Sequence, residues 1–292
     1  MKIKEALKQA SCKISKRWAE TPLLDAQVLF QKAAGMTKEA LLASYNCDVG
    51  EKILGDFDRM VDKRCAGFPV AYITGEKEFF GLSFFVNENV LIPRRDTETL
   101  VELVLEEAQK LWGAETLAVG DSALLPVRIL DLCTGSGCVA IALQHELGGR
   151  AVVEASDISA EAETVFYKNC ENILGKKLPF HKSNLFNSIK SKYNIIVSNP
   201  PYLRNIHVDE MISNQWPEPE IALRGGDDGL DFIREIVEIS VKHLEDEGLI
   251  CMEAEPSQMD IIQEILIKNN FSDVSIKRDM AQRKRVISAW KK

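Results

Sequence analysis

Five consecutive residues, Ser198-Asn199-Pro200-Pro201-Tyr202, bring together a side-chain amide, rigid backbone carbonyls and an aromatic ring. They follow a short apolar run, Tyr193-Asn194-Ile195-Ile196-Val197, that reads as a buried strand. Pro200 and Pro201 have no N–H to give a strand ladder, so the strand stops at Asn199. In open α/β sheets the carboxyl ends of strands are where ligands sit. Acceptors for N–H groups beside a flat face suit an amide or amino substrate.

A second constellation is Asp131-Leu132-Cys133-Thr134-Gly135-Ser136-Gly137. It joins a strand pattern, Val127–Leu132, to a helical one through Val139, Ile141, Ala142 and Leu143. The glycines of such a turn let backbone approach a ligand closely. A second strand pattern, Ala151–Ser156, ends at Asp157, about 20 residues after the glycines, where a carboxylate accepts ribose hydroxyls. Ala140 stands where a dinucleotide fingerprint has its third glycine. Asp131, at the tip of the first strand, would repel a pyrophosphate and suits a cationic cofactor with an ammonium group. These residues point to S-adenosylmethionine, with adenine resting near Asn184-Leu185-Phe186.

The elements that must position these groups follow from periodicity. Residues 1–68 carry apolar positions at helical spacing and read as a small helical bundle, with Thr21-Pro22 and Thr37 as helix starts. Val70–Ile73 and Phe79–Val86 read as a hairpin within a linker, 69–92. Asp96 or Thr97 caps a helix through Leu111, and residues 113–126 read as a loop. From there strands alternate with helices: Pro179–His181, Tyr193–Val197 and Gly248–Met252 as strands, and helices at Ala160–Leu174, Ile233–Leu244 and Pro256–Lys268. Two last strands, Val274–Ile276 and Arg285–Trp290, form a closing hairpin. The expected fold is α/β, a mostly parallel, doubly wound sheet with an antiparallel edge, over 93–292. Leu203–Asp228 reads as a long irregular segment, a lid over the site, with Gly225-Gly226-Asp227-Asp228-Gly229 as a surface turn.

The bulk numbers exclude several classes. A net charge of -8 weighs against bulk nucleic acid as the main partner, and the basic stretch Lys277–Lys292 reads as solvated surface. Seven cysteines without a C-x-x-C pair, and four scattered histidines, give no disulfide framework or metal site. No apolar run approaches a membrane span, and the charged start lacks the apolar core of a signal peptide, so the expected location is cytoplasmic.

With these motifs in view, the sequence resembles the HemK/PrmC family of protein-(glutamine) methyltransferases. The marks are Gly67–Ile73, Glu78–Leu82, Leu91–Glu98, Asp131–Gly137, Ser198–Tyr202 and Glu218–Leu223, spread over nearly the whole chain. The resemblance implies a Rossmann-like class I S-adenosylmethionine-dependent methyltransferase sheet, with a helical amino-terminal domain that helps hold a peptide chain release factor. It implies methylation of the Gly-Gly-Gln glutamine of that factor; the sequence leaves the oligomeric state open, with a monomer favoured. Thr134, Gly135, Ser136 and Gly137, with Asp131 and Cys133, would line the methionine end of the cofactor, Asp157 its ribose and Leu185 its adenine. Asn199, Pro200, Pro201 and Tyr202 would hold the glutamine: the Asn199 side-chain oxygen and the Pro200 carbonyl accept the two amide N–H bonds, and Tyr202 packs on the amide plane. Cys133, Arg95, Asn184 and Gln282 depart from the family's usual residues. The competing readings are an adenine amino-methyltransferase acting on nucleic acid, a non-catalytic protein of the same fold and, more remotely, a dehydrogenase.

Overall fold

The computed structural model describes residues 1–16, 20–119 and 125–292, with backbone alone for 112–119. Contacts divide the chain into two compact units, Met1–Glu76 and Lys77–Lys292.

The first unit is helical: α1 (Ile3–Ile14), α2 (Pro22–Ala34), α3 (Lys38–Ala43), α4 (Glu51–Cys65) and the short α5 (Val70–Thr74). The apolar positions Ile3, Leu7, Ala10 and Ile14 share one buried face of α1. They pack with Leu29, Phe30, Phe57 and Val61, and Phe30 meets Phe57 edge to face at 5.1 Å. Thr37 caps α3 by accepting from the Ala40 N–H at 3.2 Å. Thr21 precedes α2 but caps nothing; its hydroxyl donates to Asp25 Oδ1.

Residues 70–74 are helical, not extended as the sequence pattern implied. Five residues are too few to reveal a period. Pro69 sets the entry angle, the Thr74 hydroxyl donates back to the Val70 carbonyl at 3.0 Å, and Gly75 ends the helix in the left-handed region. The hairpin therefore begins later, with β1 (Glu76–Phe79) and β2 (Leu82–Phe85). Its two-residue turn, Phe80-Gly81, has φ of 51° and 72°, the geometry that matches strand twist.

The second unit then runs α6 (Glu98–Val119), β3 (Val127–Leu132), α7 (Cys138–Leu147), β4 (Ala151–Asp157), α8 (Ala160–Leu174), β5 (Phe180–Lys182) and β6 (Tyr193–Ser198). It closes with α9 (Asn205–Ser213), α10 (Asp231–His243), β7 (Leu244–Glu253), α11 (Met259–Lys268), β8 (Phe271–Arg278) and β9 (Lys284–Lys291). Seven strands form one sheet in the order β5-β4-β3-β6-β7-β9-β8. All pairs are parallel except those made by β9. Alternate residues serve opposite faces. Ile129, Ile195, Val197, Leu249 and Cys251 join a core with α6, α7 and α8, while Leu130, Leu132, Ile196, Ile250 and Met252 join one with α10 and α11.

Three further expectations change. Residues 113–119 continue α6 as helix, because Ala114, Glu115, Leu117 and Ala118 favour helix and a lone Gly113 does not stop it; 120–124, also placed in that loop, lie outside the described residues. The segment after Tyr202 is not irregular throughout: it contains α9 and a 3-10 turn, Glu220–Ala222. Asp96 does not cap α6; a 3-10 turn, Arg95–Thr97, leads into the helix, and Asp96 pairs with Arg283 at 2.7 Å and Arg285 at 3.1 Å. The basic carboxyl stretch is thus substantially neutralised within the fold, with Lys277 on Glu106 and Lys284 on Asp260, both at 2.7 Å.

Candidate active site

The chain runs from β3 outward to β4 and β5, then returns to β6 on the other side of β3. That reversal splays the β3 and β6 connections apart and opens a crevice at their carboxyl ends. A cavity of about 250 Å³ lies there. Cys133 and Gly135 come from the β3 turn, Asp157 and Ile158 from the end of β4, Asn184 and Leu185 from the end of β5, and Asn199 and Pro201 from the end of β6. Two further segments close the rim, Asn89–Leu91 and Pro219–Ala222, and Phe232 adds a ring from α10.

The glycine turn is shaped by backbone demands. Gly135 and Gly137 have φ of 54° and 82°. A Cβ on Gly137 would lie 2.5 Å from the Phe166 ring, so the turn packs too closely on α8 for any side chain. Cys133 and Leu185 also have positive φ, 58° and 44°, and both line the cavity. Backbone strain held by non-glycine residues clusters at functional sites.

Asp131 is fully buried and faces its own turn, where Oδ2 accepts from the Thr134 hydroxyl at 2.6 Å and the Ala140 N–H at 3.1 Å. Burial pushes its carboxyl up to about 7. It does not line the cavity, nor do Thr134, Ser136 and Gly137; Cys133 and Gly135 of the same turn do. Thr134 and Asp131 instead lock the turn onto the first turn of α7. The Ser136 carbonyl accepts from Asn169 Nδ2 at 2.9 Å, and the same buried amide pairs with both backbone groups of Phe85, so α8 ties β2 to the glycine turn. Asp157 does line the cavity: Oδ2 accepts from Gly135 N–H at 2.8 Å and Oδ1 from Ser159 N–H at 3.0 Å. Burial raises its pKa, against these donors. Burial also pushes the Cys133 thiol up, which keeps it neutral and a poor nucleophile.

The Asn-Pro-Pro-Tyr loop is held from below. Asn199, half-buried, donates from Nδ2 to Thr97 Oγ1 at 3.3 Å. Pro200 is buried and outside the cavity lining. Tyr202 is also outside that lining; its ring packs on the α10–α11 side core and its hydroxyl donates to Glu253 Oε1 at 3.1 Å. The Tyr202 carbonyl accepts from Gln258 Nε2 at 2.9 Å, and Gln258 also reaches the Gly229 carbonyl. Gly225–Gly229 is therefore a surface turn packed against this loop, with Gly225 and Gly229 buried and Asp227 and Asp228 exposed. Gly225 lies directly under the loop, where a Cβ would come within 2.8 Å of the Pro201 oxygen.

The rim is clasped by Glu218. Its buried carboxylate accepts from the Ile92 N–H at 3.0 Å and Trp216 Nε1 at 2.9 Å, and pairs with Arg94. This joins the chain either side of the cavity, next to Leu91 and Pro219. Sequence reasoning did not single out Glu253, Gln258, Phe232 or Asn169, and named Thr97 only as a helix cap. Thr97 lies inside the Leu91–Glu98 stretch, and Glu253 is the first polar residue after a buried strand, a signal of the same kind that drew attention to Asn199.

Sheet order, switch point and cavity define a Rossmann-like methyltransferase fold. The hMettl16 catalytic domain, solved with an RNA hairpin, superposes on it with a TM-score of 0.53 at 19% identity, covering 73% of this chain and 76% of that one. Residues 5–75 match the family described as PrmC N-terminal domain, and residues 115–216 the methyltransferase small domain. The release factor glutamine methyltransferase of Haemophilus influenzae is 33% identical over 309 residues, spanning 100% of both chains. That of Moorella thermoacetica is 33% identical, over 91% of this chain and 89% of its own. The bifunctional methyltransferase of Rickettsia felis is 33% identical over 98% of this chain, which spans only 57% of that longer protein. The chain belongs to the release factor glutamine methyltransferase family.

Proposed function

We propose that the protein transfers a methyl group from S-adenosylmethionine to the side-chain amide nitrogen of the Gly-Gly-Gln glutamine in peptide chain release factors. The observation that carries this reading is that Asn199 shares one cavity with Asp157, Gly135 and Leu185. An amide-binding group thus stands against a nucleoside-shaped site. The lining fits the cofactor: the Asp157 carboxylate for ribose hydroxyls, Leu185, Ile158 and Phe232 for the adenine faces, and the open backbone at Gly135 for the methionine end. Thr134, Ser136 and Asp131 would act by fixing that backbone.

When bound, the cofactor supplies a methyl group on a sulfonium. An amide nitrogen attacks it poorly, because its lone pair is delocalised into the carbonyl. Asn199 Oδ1 and the Pro200 carbonyl accept the two N–H bonds of the glutamine amide and turn the nitrogen's lone pair toward the cavity. Pro200 and Pro201 keep these acceptors rigid. Positive charge grows on nitrogen during transfer, and the two fixed dipoles stabilise it without reorganising. Methylation makes the remaining N–H protons strongly acidic, so one leaves without a dedicated base. Tyr202 supplies none: burial, then the Glu253 charge, push its hydroxyl well above the ordinary range, so it stays neutral. Its part is to hold the loop.

Transfer of labelled methyl to a purified release factor, beside a factor with the Gly-Gly-Gln glutamine replaced by alanine and beside DNA, tests the proposal. Label on the intact factor alone is expected. Label on DNA would move the assignment to nucleic-acid methylation. Asn199→Ala should lower turnover far more than cofactor affinity, and equal losses would count against its role.

A further inference from the structure

Asn169 lies within α8, is completely buried, and does not line the cavity. A buried amide needs partners, because leaving its polar groups unpaired is costly. Asn169 has three, and all are backbone. Its Oδ1 accepts from the Phe85 N–H at 2.7 Å, and its Nδ2 donates to the Phe85 carbonyl at 3.0 Å and to the Ser136 carbonyl at 2.9 Å. A backbone carbonyl only accepts and a backbone N–H only donates, so a single orientation of the amide satisfies all three.

The two partners lead to two separate walls of the cavity. Ser136 stands between Gly135, which lines it, and Gly137, whose Cα packs on the Phe166 ring too closely for a side chain. Phe166 and Asn169 are three apart on α8 and so share a face, and together they seat the glycine turn. Phe85 ends β2, and the chain next reaches Asn89, Val90 and Leu91, which line the rim. There is little slack between. Val86 is fully buried, and Asn87 closes a turn, its Oδ1 accepting from the Asn89 N–H at 3.1 Å and its carbonyl from the Val90 N–H at 3.3 Å. Lys168 adds a second hold on the same strand end, its ammonium 3.2 Å from the centroid of the Phe85 ring.

We infer that Asn169 is a positioning residue for cofactor binding: from outside the cavity, one side-chain amide fixes the spacing between the glycine-turn wall and the Asn89–Leu91 rim. The inference rests on the proposed placing of the cofactor in this cavity. Both walls face the bound molecule, so an error in their spacing weakens binding, and binding in turn steadies the joint. Asn169→Asp keeps the shape and an acceptor for the Phe85 N–H, but turns an oxygen toward two carbonyls. Asn169→Leu removes all three bonds at similar volume. Cys170→Ala is the control for lost stability, because it removes a buried thiol from the same helix and leaves the three bonds in place.

Titration calorimetry with S-adenosylhomocysteine, well below each unfolding midpoint, reads the effect without a methyl acceptor. N169D and N169L should bind it about 10- to 100-fold more weakly than the parent, and C170A within about twofold. Asp157→Ala, which alters the cavity directly, should also bind weakly. In the parent, the ligand should slow hydrogen exchange at the Phe85 N–H more than at the Phe80 N–H, which bonds to Glu98 Oε1 at 2.9 Å in the same hairpin, although neither residue lines the cavity. This last measurement decides the matter even where a variant does not fold. With D157A impaired, N169D and N169L binding within about twofold of the parent, C170A as weak as they are, or Phe85 exchange slowed no more than that of Phe80 would overturn the inference alone. D157A binding as the parent does would instead remove the cofactor from this cavity, and the inference with it.

Discussion

Gly225 offers a test of how tightly the catalytic loop is supported. Replacing it with alanine adds one methyl group, at a position whose backbone does not require glycine by φ. That methyl would lie 2.8 Å from the Pro201 oxygen, 2.8 Å from Tyr202 Cα and 2.9 Å from the Gly229 oxygen. All three neighbours are backbone, so no flexible side chain can swing aside. Ordinary carbon contacts lie near 3.5–4.0 Å, so backbone must yield by roughly half an ångström or more. Gly229 is tied through Gln258, which leaves the Pro201-Tyr202 peptide to move. Overpacking of this kind costs about 1–3 kcal/mol of stability. A displacement of about half an ångström in a positioning group costs about tenfold in rate, or about 1.4 kcal/mol in activation free energy. Gly225 does not itself line the cavity that holds Gly135 and Asp157, so cofactor affinity should hold. Gly149→Ala is the control, because a Cβ there meets nothing within 4 Å. Single-turnover methyl transfer, cofactor titration and thermal unfolding on both variants decide the matter. Turnover of G225A equal to that of G149A would refute the claim that this glycine supports the loop.

Three other expectations follow from the same geometry. Cys133 holds φ of 58°, so Cys133→Gly should be more stable than Cys133→Ala by about 1 kcal/mol in urea unfolding, both variants having lost the thiol. Asp131 has its folded pKa raised by burial from 3.8 to about 7, so its contribution is fully present below about pH 4 and is lost as pH rises through about 7. The stability of the parent relative to Asp131→Asn should therefore fall between pH 4 and 8, by at most about 4 kcal/mol, and parallel unfolding curves would contradict this. Glu218→Gln should weaken cofactor binding and lower the unfolding midpoint, because it leaves Arg94 without its charge partner and loosens the rim; calorimetry of binding reads the first effect.

Local patterns made much of this legible. The apolar run before Asn199 and the two prolines after it define β6 and its end, since both signals are written within ten residues. Asp131, Gly135 and Gly137 marked the turn for the same reason. What the pattern did not reveal is which of those side chains would face the ligand. Asp131 read as a cofactor group; in the fold its Oδ2 accepts from the Thr134 hydroxyl and the Ala140 N–H of α7, contacts no local pattern announces. The helices at 70–74 and 205–213 were missed because one is a single turn and the other has only one buried apolar residue, Val208. Thr97, Glu253 and Gln258 act on Asn199 and Tyr202 across 51 to 102 residues, and no local periodicity carries such pairings. In the carboxyl stretch the charge pattern marked surface but not its partners: Asp96, Glu106 and Asp260 pair with lysines and arginines distant in sequence.

The most direct measurement is mass-spectrometric mapping of the methyl group on a release factor incubated with S-adenosylmethionine and either the parent enzyme or Asn199→Ala. A single methyl on the side-chain amide of the Gly-Gly-Gln glutamine, made by the parent and almost absent with N199A although the variant still binds cofactor, is the predicted result. A methyl on another residue, or one placed equally well by N199A, would contradict the assignment of Asn199 to the glutamine amide.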